Sequence, residues 1–196
     1  LRKRLQAVEE EQREQTKKRN KLLYQSEHDE LTGLYNKRSL NRYLEDVFEA
    51  CKLNEKELGI LFLDIDYFKQ LNDRYGHGKG DEGICAVADT LKRIFPEDYV
   101  ARYGGDEFLV VMTGRDLTYV MEHAESLCAG IRECKIPNED SEVESWLTIS
   151  VGGVCAIPKE PNRVWDFLSA ADNTLYEQKK EQKGKVRFYQ GEGKYL

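Results

Sequence analysis

An apolar run that ends in a carboxylate constrains the fold of this chain most. Residues 57–64 read ELGILFLD, so apolar side chains would lie on both faces of a β-strand there. A strand that is apolar on both faces must be covered on both faces, which requires a sheet with helices packed against it. The apolar run from Leu58 to Leu63 is far too short to cross a bilayer.

Helical and extended patterns alternate through the rest of the globular part, which we expect to start near Ser26. Apolar residues three or four apart predict helices over residues 37–52, 67–75, from the glycine cluster at 76–83 to about Phe95, 117–134 and 163–182. Extended patterns predict strands over residues 57–64, 99–103, 107–113, 145–155 and 185–189. The order indicates an α+β fold, an α/β sandwich whose mixed sheet has a ferredoxin-like β-α-β-β-α-β core flanked by helices.

The first 28 residues differ in composition from the rest. They contain no Gly and no Pro, and Lys, Arg, Glu and Gln dominate. A heptad seam, apolar at both ends and polar in the middle, comprises Leu1, Leu5, Val8, Gln12, Gln15, Arg19 and Leu22. Two interpretations stay open, a solitary solvated helix of about 42 Å or, as we favour, a parallel coiled coil between two copies of the chain.

Composition narrows the class of protein. Charged residues make up 34% and hydrophobic residues 40%, which argues against a membrane-embedded or disordered chain. The five cysteines are odd in number and lack CxxC spacing, so we expect reduced thiols in a cytoplasmic domain. The net charge of −6 predicts no nucleic-acid partner.

We expect the sequence to be a fragment, because it begins at Leu1 rather than Met. An upstream sensor or membrane segment would then lie outside it, and the chain would be the cytoplasmic part of a larger protein.

Three carboxylates are expected to meet at one edge of the sheet. Asp64 ends the apolar strand, and Asp106 and Glu107 lie at the tip of a hairpin that can pair beside it. Such carboxylates repel one another unless a divalent cation neutralises them, and oxygen ligands select Mg²⁺ or Mn²⁺. Gly104 and Gly105 would let the turn adopt positive φ and a ligand approach closely, although an ordinary hairpin turn has the same composition.

A glycine-rich loop that opens a helix suits a nucleotide. Its backbone amides would suit phosphate. Asp81 can accept hydrogen bonds from N1–H and the exocyclic amine of guanine, and Asn72 can meet O6 or N3. His77 can contact the substrate or can instead be a structural histidine that bonds the loop.

A basic run near the carboxyl end comprises Lys179, Lys180, Lys183, Lys185 and Arg187. Such runs usually form solvated surface. We favour phosphate contact for Lys179 and Lys183, which are expected at i and i+4 on one helix face.

Five separated stretches together resemble a known family. They are DELTGLYNKR at 29–38, DIDYFKQLNDRYGHGKGD at 64–81, RYGGDEF at 102–108, SVGG at 150–153 and ADNTLYEQKK at 171–180. From residue 29 to about 189 the chain resembles the GGDEF family of diguanylate cyclases. The resemblance implies a fold similar to the palm of class III nucleotide cyclases. It also implies an activity, the condensation of two GTP into cyclic di-GMP with release of two pyrophosphates. The expected division is a signalling helix at 1–28, the cyclase domain at 29–190 and a tail at 191–196.

The resemblance also implies roles for single residues. Asp64, the backbone carbonyl of Ile65 and Asp106 look like metal ligands, and Asp106 matches the acceptor of the 3′-OH proton. Glu107 looks like an additional metal or active-site carboxylate. The implied substrate-binding residues are Asn72 and Asp81 for guanine, His77 and Lys69 by their motif positions, and Lys183 for phosphate.

One position departs from the family. Its product-inhibition motif, RxxD, places an arginine where this chain has Phe95, whereas Asp98 keeps the aspartate position. A phenyl ring offers no bidentate contact to phosphate or guanine, and Arg93 is two residues too early. We therefore expect this inhibitory site to be degenerate.

The product's two-fold symmetry predicts a homodimer with facing active sites, joined through the amino-terminal helix. Two other functions stay open, a catalytically silent module that binds GTP or cyclic di-GMP, and a purely structural dimerisation domain.

Overall fold

The computed structural model describes residues 2–191, with the side chains of residues 10–191. Leu1 and residues 192–196 of the expected tail lie outside the described residues. The helices are α1 (Arg2–Glu27), α2 (Lys37–Leu53), α3 (Phe68–Tyr75), α4 (His77–Ile94), α5 (Leu117–Glu133) and α6 (Val164–Glu181). The strands are β1 (Tyr35–Asn36), β2 (Leu58–Ile65), β3 (Tyr99–Arg102), β4 (Glu107–Thr113), β5 (Ile149–Ala156) and β6 (Val186–Phe188).

The sheet is mixed and has β2 near its centre. The strand order is β1-β3-β4-β2-β5-β6, in which β2 runs antiparallel to both β4 and β5. The outer pairs, β1 with β3 and β5 with β6, are parallel. This arrangement confirms the predicted α+β fold, with a mixed sheet flanked by helices and preceded by a long helix.

Both faces of β2 are buried, as its apolar run predicts. Leu61, Leu63 and Ile65 belong to the core beneath α3, α4 and α5. Ile60 and Phe62 belong to the core on the opposite face, with residues of α2 and α6. Successive side chains of a strand point to opposite faces, so one strand anchors two separate cores.

Most element boundaries lie within one residue of the predicted ones, and three differences have a structural cause. The two-residue strand β1 was not predicted, because such a short element leaves no periodic pattern. The strand predicted from residue 145 begins at Ile149; before it, Trp146 makes only an isolated antiparallel bridge with Pro137. The helix predicted from residue 67 begins at Phe68, because Tyr67 has a left-handed φ of 54°.

The amino-terminal helix exposes its described side chains. From residue 10 to Ser26 they are all exposed, and Leu22 and Leu23 are 59% and 51% accessible. Gln12, Gln15 and Arg19 of the heptad seam are among them, Leu1 lies outside the described residues, and the side chains of Leu5 and Val8 are not described. The coiled coil stays a prediction. Among the described helices, none combines the length and the apolar character needed to cross a membrane.

Gly152 allows α6 to lie directly on β5. A Cβ at this position would lie 2.7 Å from the Cα of Leu175 and would also overlap backbone atoms of Ala171 and Leu175. Because these are backbone atoms, no rotamer change can relieve the overlap. Gly152, the first glycine of the SVGG stretch, therefore sets the distance between the sheet and the helix that carries Lys179.

We predict that Gly152→Ala lowers the free energy of unfolding by about 2 kcal/mol or more, since α6 must move away from β5. Chemical denaturation followed by circular dichroism measures the change. Gly78→Ala is the matched control, because a Cβ there meets no atom within 4 Å. Equal unfolding free energies for the two variants would contradict this account of the packing.

Candidate active site

The pairing of β2 with β4 places the backbone positions of the predicted carboxylates at one edge of the sheet. Asp64 lies opposite Glu107 in the antiparallel register. The N–H of Ile65 donates to the backbone carbonyl of Asp106 at 3.2 Å, which holds the hairpin end beside the strand end. The three acidic residues therefore share the edge at which β2 ends.

The site strongly disfavours further negative charge. Burial raises the pKa of Asp64 to about 6, with contributions from Asp106 and Asp66 and an opposing one from Lys179. Burial, Asp106 and Asp172 likewise raise the pKa of Glu107. Each shift means that the carboxylate form is destabilised where it stands, which a bound cation would relieve.

The donor set fits a hard divalent cation, since it consists of carboxylate and backbone oxygens. Across residues 10–191, no three Asp, Glu, His or Cys side chains are grouped as a ready metal site. A cation at Asp64 and Asp106 would therefore need further oxygens, which water and substrate phosphates can supply.

Asp66 does not belong to this cluster of carboxylates. It is fully buried, and it accepts hydrogen bonds from the hydroxyls of Thr148 at 2.8 Å and Ser150 at 2.6 Å. Ser150 also accepts from the N–H of Gly184 at 3.1 Å. Asp66 thus ties the end of β2 to β5 and to the loop that follows α6.

Arg102 holds the hairpin loop in place, a role that was not predicted. Its guanidinium donates to the carbonyls of Gly104 at 3.1 Å and Gly105 at 2.7 Å, and to the carboxylate of Asp29 at 3.0 Å. Asp29 in turn accepts from the N–H and hydroxyl of Thr32. The sequence contained a signal for this pair, because Asp29 and Arg102 each begin one of the five stretches that resemble the family.

The two glycines of the hairpin serve a different purpose from the one predicted. Neither is among the residues with positive φ. A Cβ on Gly104 would overlap the carboxylate of Glu107, so the close neighbour there is the chain's own side chain. Gly105 has open space around its Cα, and its carbonyl faces Arg102. The prediction of positive φ was wrong because the carbonyls turn towards the guanidinium instead.

The predicted guanine-binding residues lie on two consecutive helices. Gly76, with φ of 82°, links α3 to α4. The side-chain amide of Asn72 lies so close to Gly80 that a Cβ there would overlap it. Asp81 is exposed at the start of α4, one residue from that contact. His77 and Lys69 are also exposed, on α4 and α3 respectively.

The two lysines of the basic run do not share a helix face. α6 ends at Glu181 and Gln182 is extended, so the prediction of an i, i+4 pair was wrong. Lys179 Nζ lies 2.6 Å from Asp64 Oδ1. Lys183 Nζ instead lies 3.9 Å from the ring centroid of Tyr67. Gly184 follows Lys183, and a glycine is common just after a helix ends. The sequence could therefore have indicated that α6 ends near this point.

Phe95, which stands where the family's inhibitory motif has an arginine, lies in the core. Phe95 is 1% accessible and packs near His123, with ring centroids 5.9 Å apart. One carboxylate oxygen of Asp98 is buried without a hydrogen-bond partner, and burial raises the pKa of this side chain. Phe95 and Asp98 line a cavity of about 190 Å³ together with Lys92, whose Nζ donates to the carbonyl of Thr32.

Stacked rings connect α1 to the sheet, a feature that no sequence pattern indicated. Tyr24 stacks on His28 with centroids 4.0 Å apart, and His28 stacks on Tyr35 at 4.5 Å. Tyr35 stacks on Tyr99 at 4.1 Å, and Tyr99 on Tyr43 at 3.9 Å. This aromatic column runs from the end of α1 through β1 and β3 to α2.

Comparison with known proteins gives a consistent assignment. The profile of the family described as "Diguanylate cyclase, GGDEF domain" matches residues 26–185. A curated relative, "Probable diguanylate cyclase DgcC" of Escherichia coli K12, is 32% identical over 163 residues, which cover 83% of this chain and 43% of DgcC. The chain therefore spans less than half of that relative.

Solved structures agree with the fold. The coiled coil and GGDEF domain of DgcB from Caulobacter crescentus, in complex with c-di-GMP, matches with a TM-score of 0.84 at 24% identity, over 94% of this chain and 97% of that one. The GGDEF domain of DgcB alone, also in complex with c-di-GMP, matches with a TM-score of 0.76 at 26% identity, over 84% of this chain and 96% of that one. With the family profile matching most of its length, this chain belongs to the GGDEF-domain family of diguanylate cyclases.

Proposed function

We propose that this chain is a catalytically competent diguanylate cyclase that condenses two GTP into cyclic di-GMP and releases two pyrophosphates, with Mg²⁺ or Mn²⁺ as cofactor. The observation that supports this most is the β2–β4 register, which places Asp64 opposite Glu107 and beside Asp106. The family profile and the probable cyclase DgcC support the same reaction.

The carboxylates would hold the metal and one of them would accept a proton. Asp64, the carbonyl of Ile65, Asp106 and Glu107 are the proposed ligands. A bound divalent ion would polarise the α-phosphoryl group and neutralise charge on the departing pyrophosphate. Asp106, on the hairpin and partly exposed, is the proposed acceptor of the 3′-OH proton.

The proposed substrate contacts lie on α3, α4 and α6 and in the turn that follows α6. Asn72 and Asp81 read guanine, since an acceptor carboxylate pairs with the two donors that adenine lacks. The proposed phosphate or substrate contacts are Lys69, His77, Lys179 and Lys183. Of these four, Lys179 contacts the carboxylate of Asp64 directly.

Two copies of the chain would form one catalyst. Each copy binds one GTP, and the 3′-OH of one nucleotide must attack the α-phosphorus of the other in line. A two-fold product favours an isologous pair of domains, and bringing two bound nucleotides together lowers the barrier through orientation. We propose that residues 1–28 join the copies as a signalling coiled coil, that the cyclase domain spans 29–190 and that a tail follows.

We propose the cytoplasm as the site of action. The five cysteines are all free, as a reducing compartment would keep them. An upstream sensor domain is the proposed source of regulation, and no nucleic acid is a proposed partner.

We predict that Asp106→Ala lowers turnover by about 100-fold or more, as loss of a group that organises transition-state charge does. The backbone carbonyl that accepts from Ile65 is retained, so the unfolding midpoint should not change. Incubation with GTP and Mg²⁺, with cyclic di-GMP identified by mass spectrometry, measures both activity and product. Asp73→Ala, at an exposed position of α3, is the control. Turnover within about twofold of the parent would remove Asp106 from the mechanism.

We predict that Asp81→Ser relaxes base choice towards ATP. A hydroxyl can donate or accept, whereas the carboxylate only accepts and so requires the donors of guanine. Competition between GTP and ATP gives the ratio of their kcat/KM values. Glu82→Ser removes the neighbouring exposed carboxylate and should keep the parent's preference. An unchanged ratio in Asp81→Ser would show that another residue reads the base.

We predict that product inhibition is competitive with GTP. Phe95 is uncharged and lies in the core, so it offers no cation to a product phosphate. Asp98 alone would repel that phosphate. Progress curves at several GTP and cyclic di-GMP concentrations, with Asp98→Ala in parallel, test this. Noncompetitive inhibition that Asp98→Ala abolishes would show that the degenerate motif still binds product. If the inhibition persists in Asp98→Ala, a different allosteric site exists.

A further inference from the structure

Lys179 forms an ion pair with a proposed metal ligand. Its Nζ lies 2.6 Å from Oδ1 of Asp64, and the two side chains are 28% and 17% accessible. The contact joins α6 to the end of β2, which are 115 residues apart in sequence. Gly152 makes the approach possible, because it lets α6 pack directly on the neighbouring strand.

The carboxylate of Asp64 needs a compensating cation when no metal is bound. Asp64 is mostly buried and faces the negative charges of Asp106 and Asp66. A partly buried carboxylate among other carboxylates is costly unless a cation compensates it. The ammonium of Lys179 provides that compensation within the described part of the chain.

The neighbouring lysines are engaged elsewhere, which makes Lys179 distinct. Lys180 lies 3.7 Å from Glu177 and 4.1 Å from the ring centroid of Tyr176. Lys183 lies over the ring of Tyr67. Lys180 therefore offers a matched control on the same helix.

We propose that Lys179 acts as a cation surrogate: it neutralises Asp64 when no metal is bound, and it exchanges Asp64 for a triphosphate oxygen when the metal–nucleotide complex binds. The inference rests on the proposed function, since it requires a metal–GTP substrate. The ammonium is a compact charge on a flexible four-carbon stem, so it can move between two anionic partners. Metal alone must displace the lysine, whereas metal with nucleotide gives the lysine a new partner. Binding of metal and nucleotide is therefore positively coupled.

Mn²⁺ binding without nucleotide tests the exchange. Titration of the full chain, followed by electron paramagnetic resonance of free Mn²⁺, gives the dissociation constant for the parent, Lys179→Met, Lys179→Arg and Lys180→Met. We expect Lys179→Met to bind Mn²⁺ about fivefold tighter or more, since the competing charge is gone. Lys179→Arg keeps the cation and should resemble the parent, as should Lys180→Met.

Repeating the titration with a GTP analogue that cannot transfer its α-phosphoryl group measures the coupling. We expect the analogue to tighten Mn²⁺ binding more in the parent than in Lys179→Met. A Mn²⁺ affinity in Lys179→Met that equals or falls below the parent's would overturn the proposal. Should Lys179→Met not fold, Lys179→Gln serves the same comparison under the same criterion. None of these measurements requires turnover, so failure of the parent to make cyclic di-GMP would refute the proposed function without deciding the exchange.

Discussion

The antiparallel pairing of β2 with β4 is the constraint on which the site depends. The same ladder that buries Leu61 and Leu63 under α3, α4 and α5 continues to Asp64, where it places Glu107 directly opposite. The register cannot slip by one residue, because a slip would turn every apolar side chain of β2 to the other face. Core packing therefore fixes the relative positions of the acidic residues, and the chain needs no separate device to align them.

That alignment creates an electrostatic problem whose solution involves distant parts of the chain. Asp64 and Glu107 both have raised pKa values because they are buried among like charges. Lys179 on α6 offsets part of this for Asp64, and Arg102 with Asp29 holds the hairpin that carries Asp106. Lys179 on α6 thus compensates the charge of the acidic edge, whereas Arg102 on β3 fixes the hairpin loop that leads to Asp106. A site of this kind favours a cationic ligand over an anion on its own.

The sequence predicted what depends on short-range pattern and missed what depends on tertiary packing. The apolar run of β2 was sufficient to predict a sheet covered on both faces and a carboxylate at the strand's end. The prediction that Lys179 and Lys183 share a helix face was wrong because it required α6 to continue past Glu181. Periodicity does not define a helix end, and Lys183 reaches Tyr67 only because the chain turns at that point.

Contacts between residues far apart in sequence were harder to foresee. No spacing rule links Asp29 to Arg102, although each begins a motif stretch. The sequence showed that Phe95 departs from the family's inhibitory motif. The structure adds that this side chain is nearly fully buried, so a cation would be unfavourable at the position. For Asp98 the sequence could not show that one carboxylate oxygen would lie buried without a partner.

The aromatic column and the Arg102–Asp29 pair together join α1 to the hairpin rigidly. His28 stacks between Tyr24 on α1 and Tyr35 on β1, while the next residue, Asp29, is bonded to the guanidinium that holds the hairpin carbonyls. Each aromatic pair contributes about 0.5–1.5 kcal/mol beyond its buried area, so several stacks in series resist bending at the end of α1. A rotation of α1 must therefore either break these stacks or move the sheet with it. Because β1 pairs with β3 immediately before the hairpin, the second course displaces the strand that leads to Asp106. The end of the amino-terminal helix and the acidic edge are therefore connected by a continuous series of stacked, paired and hydrogen-bonded residues.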